Sequence, residues 1–396
     1  MDNELRLGLV VENHFPRLGG MERENHALAD AFTRIEACRV AVHCSSMPEV
    51  PDNFQYGYPV YRGRSLSYLT PLFARIASKK MVQRERINFL HGAMLHGGGF
   101  QAIQLGKLLG LPVAVRAHGA DLQAVPEIGY GALLGPKLKQ RVHFSLSEAD
   151  IVTVPSQRLS KIAKECGADP ARVHVVPSGV ALKAMDRVPY VDMRSRYGIS
   201  PNAFMIITVG RNRPIKRLSL LFEAVKLLLD RDPSIRCLCV GPKEDVAELA
   251  AMYGVERAVV ATGPILPNNE DQFSTSAPPM ELVNIYRGAD LYVSTSYVES
   301  FGLAGLEALA CGTPVVVTAG QGIEDILNAN LAGAVVSNQT AAALANEFAR
   351  FQSEPRSETR EAARALAADY TWDRTAEHLC SLYLELGKAE ANMLDR

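Results

Sequence analysis

The chain has 396 residues, of which 47% are hydrophobic, and a formal net charge of −1 at pH 7. This length favours two domains, and the hydrophobic fraction is typical of a globular protein. A net charge near zero gives no indication of a nucleic-acid partner. No window approaches the roughly 18 consecutive apolar residues of a membrane span, and the N-terminus lacks the regions of a signal peptide. The seven cysteines have no zinc-binding spacing, so we expect free thiols and a cytoplasmic protein.

The predicted elements of the first half alternate between strands and helices, which is typical of βαβ units around a parallel sheet. The clearest helix begins after Gly19-Gly20, with the sequence MERENHALADAFTRI. The strand candidates span residues 5–11, 39–44, 88–91, 112–118, 150–155 and 172–177.

A stretch with several proline and glycine breaks, residues 177–204, follows and predicts a linker. The alternation then restarts, and only helical patterns follow residue 340. We therefore predict an α/β fold with two Rossmann-like, doubly wound domains at residues 1–185 and 186–370, and a terminal helix at 371–396. The strand candidates of the second half span residues 204–210, 235–241, 257–263, 290–296, 313–318 and 332–337.

One long connection departs from this rhythm. Residues 264–281 read PILPNNEDQFSTSAPPME, a polar and proline-rich stretch between a strand and a helix. Connections of this length are uncommon in compact domains and often form lids or binding loops. We expect such a role here.

Ligands of open α/β sheets bind beyond the carboxyl ends of the strands, so residues directly after each strand are candidates for a site. Gly19 and Gly20 open a helix after the first strand, where free amides suit an anion. The alternative is an ordinary strand-to-helix turn. The dinucleotide fingerprint G-x-G-x-x-G is absent, which disfavours a dehydrogenase.

Histidines also follow the carboxyl ends of other predicted strands in the first half. His118 and Asp121 follow the fourth strand, where a side chain can face a ligand, although a structural histidine is an equal alternative. His91 and His96 lie nearby, but the spacing fits no standard metal motif, so we expect no metal.

Four cations cluster where the first strand of the second half leads into a helix: Arg211, Arg213, Lys216 and Arg217. Cations are disfavoured at a helix N-terminus, so this placement indicates a bound anion with more than one charge. Arginine suits phosphate through its planar fork, and lysine acts as a point charge. The alternative, a solvated basic loop, leaves the unfavourable placement unexplained.

Two glutamates bracket a mostly apolar stretch in YVESFGLAGLEALACGTPVVV, residues 297–317. Glu299 lies in the loop after a strand, and Glu307 lies about one turn inside the next helix. Between them, the amides of Phe301, Gly302 and Leu303 have no partners within the helix. Carboxylates bind hydroxyl groups and a nest of amides binds phosphate, and a nucleotide sugar offers both. The alternative is a capping acid followed by a solvated helical glutamate.

The block from Glu299 to Glu307 resembles the E-x7-E signature of retaining glycosyltransferases with the GT-B fold, family 4. The segments GGMER, RAHGAD, VPSGV, VGRNRPIK, GADLYVSTSYVESFG and YTW fall in the order of that family, over nearly the whole chain. The resemblance implies two Rossmann-like domains facing a central cleft, with the donor on the second domain and the acceptor on the first. It also implies a last helix that crosses back to the first domain.

The resemblance implies roles for four residues of the second half. Arg211 and Lys216 match the pair that holds the donor diphosphate. Glu299 matches the acid that contacts donor-sugar hydroxyls, and Glu307 matches the acid that binds the ribose. The amides of residues 301–303 would assist the two cations in stabilising the leaving phosphate.

It also implies roles for residues near other strand ends. Gly19 and Gly20 match glycines that approach the phosphate or the sugar. His118 matches a histidine beside the reacting sugar. The turn Gly263-Pro264-Ile265 matches the segment that contacts the base.

Some positions depart from the family pattern. Ser178 and Ala181 stand where the family usually has Asn and Asp, and Arg217 replaces a common glycine after the lysine. The loop around Glu324 lacks a usual proline, and the 264–281 connection looks longer than usual. These departures leave the donor sugar and the acceptor open.

We therefore expect a retaining, metal-independent hexosyltransferase without a cofactor. It would move a sugar from a UDP- or GDP-sugar to a sugar, glycolipid or small-molecule acceptor, in the synthesis of polysaccharide, glycolipid or small glycosides. The alternatives are a non-catalytic nucleotide-sugar-binding subunit and a GT-B epimerase or phosphorylase. The sequence leaves the base, the sugar, the acceptor and the oligomeric state open.

Two basic stretches of the first half raise a membrane role. Residues 70–86 form a helix candidate with five cations and one acid, which we interpret as a solvated face. The alternative is peripheral contact with anionic lipid on the inner face of the membrane. GPKLKQR, residues 135–141, adds three cations and suits a phosphorylated acceptor equally well.

Overall fold

The computed structural model describes residues 4–15, 19–46, 56–62, 70–241, 244–266, 276–327 and 331–394. The chain divides into two compact units. The first comprises Met1–Gly179 and Trp372–Arg396, and the second comprises Val180–Thr371. Each unit contains one parallel sheet with helices, which confirms the predicted α/β class.

The sheet of the first unit has seven strands in the order β3-β2-β1-β4-β5-β6-β7. In the register of the central strands, Leu7 lies opposite Val40 on one side and Phe89 on the other. The strands are β1 (Leu5–Asn13), β2 (Cys38–Ser46), β3 (Val60–Arg62), β4 (Phe89–Ala93), β5 (Val113–Arg116), β6 (Ile151–Val154) and β7 (Val173–Val175). The helices are α1 (Gly20–Phe32), α2 (Thr70–Glu85), α3 (Phe100–Leu109), α4 (Pro136–Glu148) and α5 (Gln157–Glu165).

Six of these strands are predicted by their apolar runs, whereas β3 is not. The central strands are buried on both faces, and such strands contain nearly continuous runs of Val, Ile and Leu. Strand β3 has only three residues, half-buried or exposed, at the edge of the sheet. A short edge strand has no such run to reveal it.

The second unit begins where the sequence predicts a linker. Its first helices are α6 (Leu182–Asp186) and α7 (Met193–Arg196). Met185, Met193 and Ile199 are at most 3% exposed and belong to the core of this unit. The proline and glycine breaks therefore separate short packed helices. The change of unit lies between Gly179 and Val180, about six residues before the predicted boundary.

The sheet of the second unit has six strands in the order β10-β9-β8-β11-β12-β13. All six lie within the predicted segments. The strands are β8 (Met205–Val209), β9 (Arg236–Val240), β10 (Val259–Gly263), β11 (Leu291–Ser294), β12 (Val315–Thr318) and β13 (Gly333–Val336). The remaining helices are α8 (Leu218–Leu229), α9 (Glu244–Tyr253), α10 (Met280–Gly288), α11 (Leu303–Ala310), α12 (Ala341–Ser353) and α13 (Arg356–Ala367).

The last helix, α14 (Trp372–Leu394), belongs to the first unit. The ring of Tyr383 stacks on Phe89 of β4 with centroids 4.5 Å apart, and its hydroxyl is hydrogen-bonded to His91 Nδ1 at 2.6 Å. Arg34 Nε donates to Asp373 Oδ1 at 2.8 Å and ties the start of α14 to the end of α1. The helix is therefore attached to the sheet by burial as well as by polar contacts.

In each sheet the chain order reverses between two central strands. The reversal lies between β1 and β4 in the first sheet and between β8 and β11 in the second. Ligands of open α/β sheets bind beyond the carboxyl ends of such strands. The loops after these four strands are therefore the places to search for a site.

Two of the predicted functional segments lie in the long connection and in helix α2. The long connection at 264–281 lies mainly outside the described residues, which omit 267–275. The basic segment at 70–86 forms α2, on which Lys80 and Arg84 are exposed, and its membrane contact stays a prediction. None of the helices in the described ranges combines the length and apolarity that a bilayer crossing requires.

Buried histidines link the stability of the first unit to pH. Burial lowers the pKa of His91 to about 3, and the neighbouring Arg116 and His118 lower it further. Burial likewise lowers the pKa of His14 to about 3, with His26 and Arg62 adding to the effect. In the folded chain both imidazoles are neutral well below pH 6.5, where an unfolded histidine gains a proton.

We predict that acid destabilises the first unit below pH 6.5. Between that pH and the folded pKa the unfolded state binds more protons, so stability falls by about 1.4 kcal/mol per pH unit for each such histidine. Urea unfolding between pH 7 and 5 measures this slope, and Trp372, the single tryptophan, reports on this unit. His91→Gln should reduce the slope by one histidine, whereas His378→Gln, at an exposed position of α14, should leave it unchanged. Equal slopes in all three proteins would contradict the assignment.

Candidate active site

The loops that follow β8 and β11 meet at the switch point of the second sheet. The amide of Tyr297 donates to the carbonyl of Ile215 at 2.9 Å. Lys216 Nζ donates to Glu299 Oε1 at 2.5 Å, and Ser296 Oγ donates to the same oxygen at 2.8 Å. The side chains of Lys216 and Glu299 are 30% and 24% exposed, so this ion pair is accessible to a ligand.

Glycines shape the backbone beneath Lys216. Gly210 follows β8 with φ at 148°, and a Cβ atom there would lie 3.2 Å from Lys216 Cε. The lysine stem therefore crosses a position without a side chain. Gly241 follows β9 in the same way, and its missing Cβ would lie 2.1 Å from the carbonyl oxygen of Gly210. The two loops can pack this closely because Gly241 has no side chain.

The other predicted cations surround this pair in different ways. Arg211 and Arg213 are exposed at the mouth of the loop. Arg217 is half-buried, and its Nε donates to the carbonyl of Thr295 at 2.6 Å. Two of the four cations thus face solvent, one is paired with a carboxylate and one is bonded to the backbone.

Helix α11 points its N-terminus at the same edge of the sheet. Gly302 precedes it with φ at 105°, a left-handed conformation that glycine adopts without strain. Phe301 is only 1% exposed and anchors this turn in the core. The amides at the start of α11 have no carbonyl four residues earlier within the helix, and they are available to an anion.

Glu307 lies inside the unit and not on a solvated face. Its side chain is 5% exposed, and Tyr286 Oη donates to Glu307 Oε2 at 3.0 Å. The alternative of a solvated helical glutamate is therefore wrong. Tyr286 has no signal in the sequence, because it occupies one apolar position among several in α10.

A buried glutamine braces the loop that carries Glu299, and the sequence reasoning missed it. Gln321 is 1% exposed and its amide is fully used. Gln321 Oε1 accepts from Ser294 Oγ at 2.8 Å, and Nε2 donates to the carbonyl of Ser294 at 2.9 Å. The amide of Gly322 donates to the carbonyl of Glu299 at 3.2 Å. These bonds hold the loop after β12 against the end of β11.

The predicted base-binding turn lies at the same edge, two strands away from β8. Gly263 ends β10 with φ at 77°, and its carbonyl accepts from the amide of Gly241 at 3.2 Å. Pro264 is exposed and Ile265 is half-buried against the core. The turn is thus connected to the loop after β9, which in turn packs on Gly210.

In the first unit, His118 belongs to a buried charged cluster. His118 Nδ1 lies 3.6 Å from Glu24 Oε2, and Arg116 Nε donates to Glu24 Oε1 at 2.9 Å. Arg116 also donates to the carbonyl of Val176 and to Ser178 Oγ. Burial by itself raises the pKa of Glu24, but Arg116 and His118 outweigh it and hold the pKa at about 2. Ser178, one of the departures from the family pattern, is thus a partner of this cluster.

Asp121 has a structural role beside His118. It is fully buried, and its carboxylate accepts from the amide of His118 at 3.1 Å and from the amide of Leu95 at 2.9 Å. It therefore connects the loops after β4 and β5. Within the described residues, His118 Nε2 is buried and has no hydrogen-bond partner.

The glycine pair opens α1 as predicted. Gly19 caps the helix in an extended conformation, and Gly20 is its exposed first residue. The carboxylate of Glu22 folds back towards Gly19, where an added Cβ would lie 2.1 Å from Oε2. A negative side chain therefore already lies near these amides.

The structure places the predicted residues in two groups. The first unit holds the predicted residues near its strand ends, and the other predicted site residues belong to the second unit. Those of the first unit are Gly19, Gly20, His91, His96, His118 and Asp121. In the second unit, accessible cations, a carboxylate and helix amides follow the central strands of one sheet. Such a set can bind phosphate oxygens and hydroxyl groups at the same time.

The sequence matches two family descriptions in succession. Residues 18–184 match "Glycosyltransferase Family 4", and residues 192–368 match "Glycosyl transferases group 1".

A curated relative supports this result. The D-inositol 3-phosphate glycosyltransferase of Salinispora arenicola is 30% identical over 326 residues, which are 74% of this chain and 69% of the relative.

Solved structures share the fold at lower identity. Sucrose-phosphate synthase from Thermosynechococcus elongatus has a TM-score of 0.74 at 20% identity, over 98% of this chain and all of the other. HepE from Anabaena, in complex with UDP-glucose, has a TM-score of 0.69 at 17% identity, over 96% of this chain and all of the other. The chain therefore belongs to the family 4 glycosyltransferases with the GT-B fold and is a transferase enzyme.

Proposed function

We propose that this enzyme transfers a sugar from a nucleoside-diphosphate sugar to an acceptor hydroxyl, with retention of configuration and without a metal ion. The observation that carries the proposal is the accessible Lys216–Glu299 pair at the switch point of the second sheet. A lysine suits a phosphate oxygen and a carboxylate suits a sugar hydroxyl, so the two halves of such a donor match the two halves of the pair.

One similar protein supports a donor of this kind, and another suggests an acceptor. HepE binds UDP-glucose, and its fold resembles that of this chain over nearly its full length. The Salinispora arenicola relative is named for D-inositol 3-phosphate, which makes that compound the first acceptor to test.

The transferred sugar leaves its phosphate through a transition state in which negative charge grows on the departing oxygen. Arg211 and Lys216 carry positive charge beside the proposed phosphate position, and the first amides of α11 add the positive end of a helix dipole. Groups that are fixed before the reaction stabilise such charge most strongly. In this proposal they perform the task that a metal ion performs in other transferases.

Retention is best explained by attack from the face on which the phosphate leaves. The bond from the anomeric carbon to the phosphate oxygen breaks, and a bond from the same carbon to the acceptor oxygen forms. The acceptor's proton passes to the departing phosphate oxygen, so no separate protein base is required.

Glu299 and Glu307 would bind different hydroxyl groups of the donor. Both recorded bonds to Glu299 fall on Oε1, so Oε2 is the oxygen that we assign to the sugar. Glu307 is already bonded to Tyr286, so a ribose hydroxyl would have to share this carboxylate. The family roles of His118, Gly19, Gly20 and the 263–265 turn stay predictions.

The donor prediction is tested by thermal unfolding with UDP-, GDP- and ADP-sugars. A ligand at 100 times its Kd stabilises the folded chain by about 2.7 kcal/mol, so one of the three classes should raise Tm clearly. Transfer to D-inositol 3-phosphate and to simple sugars is then measured with and without EDTA. We expect turnover to survive EDTA and the product to keep the anomeric configuration of the donor. Release of nucleoside diphosphate without transfer, or loss of activity in EDTA, would contradict the proposal.

Removal of either proposed phosphate-binding cation should slow turnover. Lys216→Ala and Arg211→Ala should each lower kcat by about 10²–10³-fold, since one charge-stabilising donor is lost. Lys226→Ala, at an exposed position in the last turn of α8, is the matched control and should retain wild-type kcat. Wild-type kcat in Lys216→Ala would remove the diphosphate assignment.

Glu299→Gln should separate sugar binding from phosphate binding. The wild-type carboxylate competes with the diphosphate for Lys216, and a partly exposed ion pair contributes about 0.2–1 kcal/mol. We therefore expect the free nucleoside diphosphate to bind up to about fivefold more tightly to Glu299→Gln, while kcat falls. Isothermal calorimetry and initial rates measure the two effects. Weaker diphosphate binding in this variant would show that Glu299 supports the phosphate and not the sugar.

A further inference from the structure

Arg217 occupies an unusual backbone position beside the candidate site. Its φ and ψ are 47° and 50°, in the left-handed region, immediately before α8. Among the described residues, only Arg86, Met94 and Arg217 are non-glycine residues with positive φ. A residue held in this conformation indicates that the contacts around it favour it over a relaxed backbone.

The side chain of Arg217 reaches across the ends of two neighbouring strands. Nε donates to the carbonyl of Thr295 at 2.6 Å, and Nη2 donates to Thr318 Oγ1 at 3.0 Å. A longer contact of 3.4 Å joins Nη2 to the carbonyl of Ser296. One guanidinium thus connects the loop after β8 with the ends of β11 and β12.

A side chain at the end of β11 also bonds to the backbone of the loop that carries Arg217. Thr295 Oγ1 lies 2.8 Å from the carbonyl oxygen of Lys216 and 3.0 Å from that of Arg217. Each loop therefore donates hydrogen bonds to the other in the neighbourhood of Lys216. A shift of one loop would break bonds from both.

An aromatic ring covers the guanidinium. The centre of the Tyr297 ring lies 4.3 Å from Arg217 Cζ, within the range of a cation–π contact. Tyr297 is 36% exposed, so the ring covers one face of the guanidinium at the surface of the loop. The amide of the same tyrosine donates to Ile215, which fixes the ring to the segment it covers.

Arg217 and Lys216 differ in the groups that accept their hydrogen bonds. Lys216 is paired with the carboxylate of Glu299, whereas Arg217 donates hydrogen bonds to two carbonyls and one hydroxyl. These acceptors are neutral, so they leave the positive charge of Arg217 uncompensated by a formal negative charge. A half-buried cation of this kind attracts an anion that binds above it.

We propose that Arg217 is a positioning residue that holds Lys216 and Glu299 in register and supplies positive charge beneath the donor diphosphate. The inference rests on the proposed function. A glycine, the common residue here in the family that the sequence resembles, would adopt the left-handed conformation without strain. It would supply neither the three bonds nor the charge, so this chain keeps a strained residue for what its side chain does.

The test compares Arg217→Gly with Arg217→Lys. Arg217→Gly suits the backbone, so it should fold, and it removes both the bonds and the charge. Arg217→Lys keeps the charge but cannot form the same planar set of bonds. Arg231→Ala, at an exposed position after α8, is the control. The readouts are kcat, KM, Tm and the calorimetric Kd for the nucleoside diphosphate that the wild type binds, at two salt concentrations.

We expect Arg217→Gly to lose about 10–100-fold in kcat, since a displacement of about 1 Å in a catalytic constellation has an effect of this size. Its diphosphate affinity should fall and should depend less on salt. Arg217→Lys should retain most of the diphosphate affinity without recovering kcat. A lower Tm with unchanged kcat and Kd would show a structural role only and overturn the inference, as would wild-type values throughout. If the wild type neither binds a nucleoside diphosphate nor transfers sugar, the proposed function itself fails.

Discussion

The parallel pairing of β8 with β11 is the constraint on which the candidate site of the second unit depends. Ile206 lies opposite Leu291 and Ile207 lies opposite Tyr292, so the two strands end at nearly the same level. Their loops must then run side by side, and the bond between the Tyr297 amide and the Ile215 carbonyl fixes their spacing. The ion pair of Lys216 with Glu299 follows from this backbone arrangement. Buried apolar strands thus determine where two charged side chains from distant parts of the sequence meet.

The ion pairs Arg116–Glu24 and Lys216–Glu299 have similar chemistry but differ in their exposure to solvent. The side chains of Arg116 and Glu24 are 0% and 8% exposed, and their bonds remain within the first unit. Charges so far from water must stay paired, because removal of one partner would leave the other buried and uncompensated. Lys216 and Glu299 retain access to solvent, so each can exchange its partner for a ligand group at low cost. The first cluster is suited to fix His118 in place, and the second is suited to bind.

Much of the fold and part of the site follow from patterns in the sequence. Of the thirteen strands in the described residues, twelve coincide with predicted apolar runs, because strands buried on both faces need continuous apolar residues. The rule that ligands bind at the carboxyl ends of strands selects Lys216 and Glu299 before any contact is known.

Local patterns do not contain the partners that come from other elements. Tyr286 beside Glu307, Gln321 beside Ser294 and Glu24 beside His118 meet only through tertiary packing. The proline and glycine breaks before residue 204 could be read as a linker because short helices such as α6 and α7 have too few turns to show a period.

Several local rules are broken at one edge of the second sheet. Cations precede α8, where the helix dipole disfavours them, and Arg217 adopts a conformation that normally favours glycine. Glu307, a residue type that is rarely buried, lies inside the same unit. A sequence tolerates such conflicts where packing stabilises them and where they serve a function, and otherwise local and global preferences agree. The conflict of charge with helix polarity is visible in the sequence alone, whereas the strain at Arg217 is visible only in the structure. The cations lie between residues 211 and 217 and the strained residue directly follows Lys216, so both conflicts fall in the loop that leads into α8.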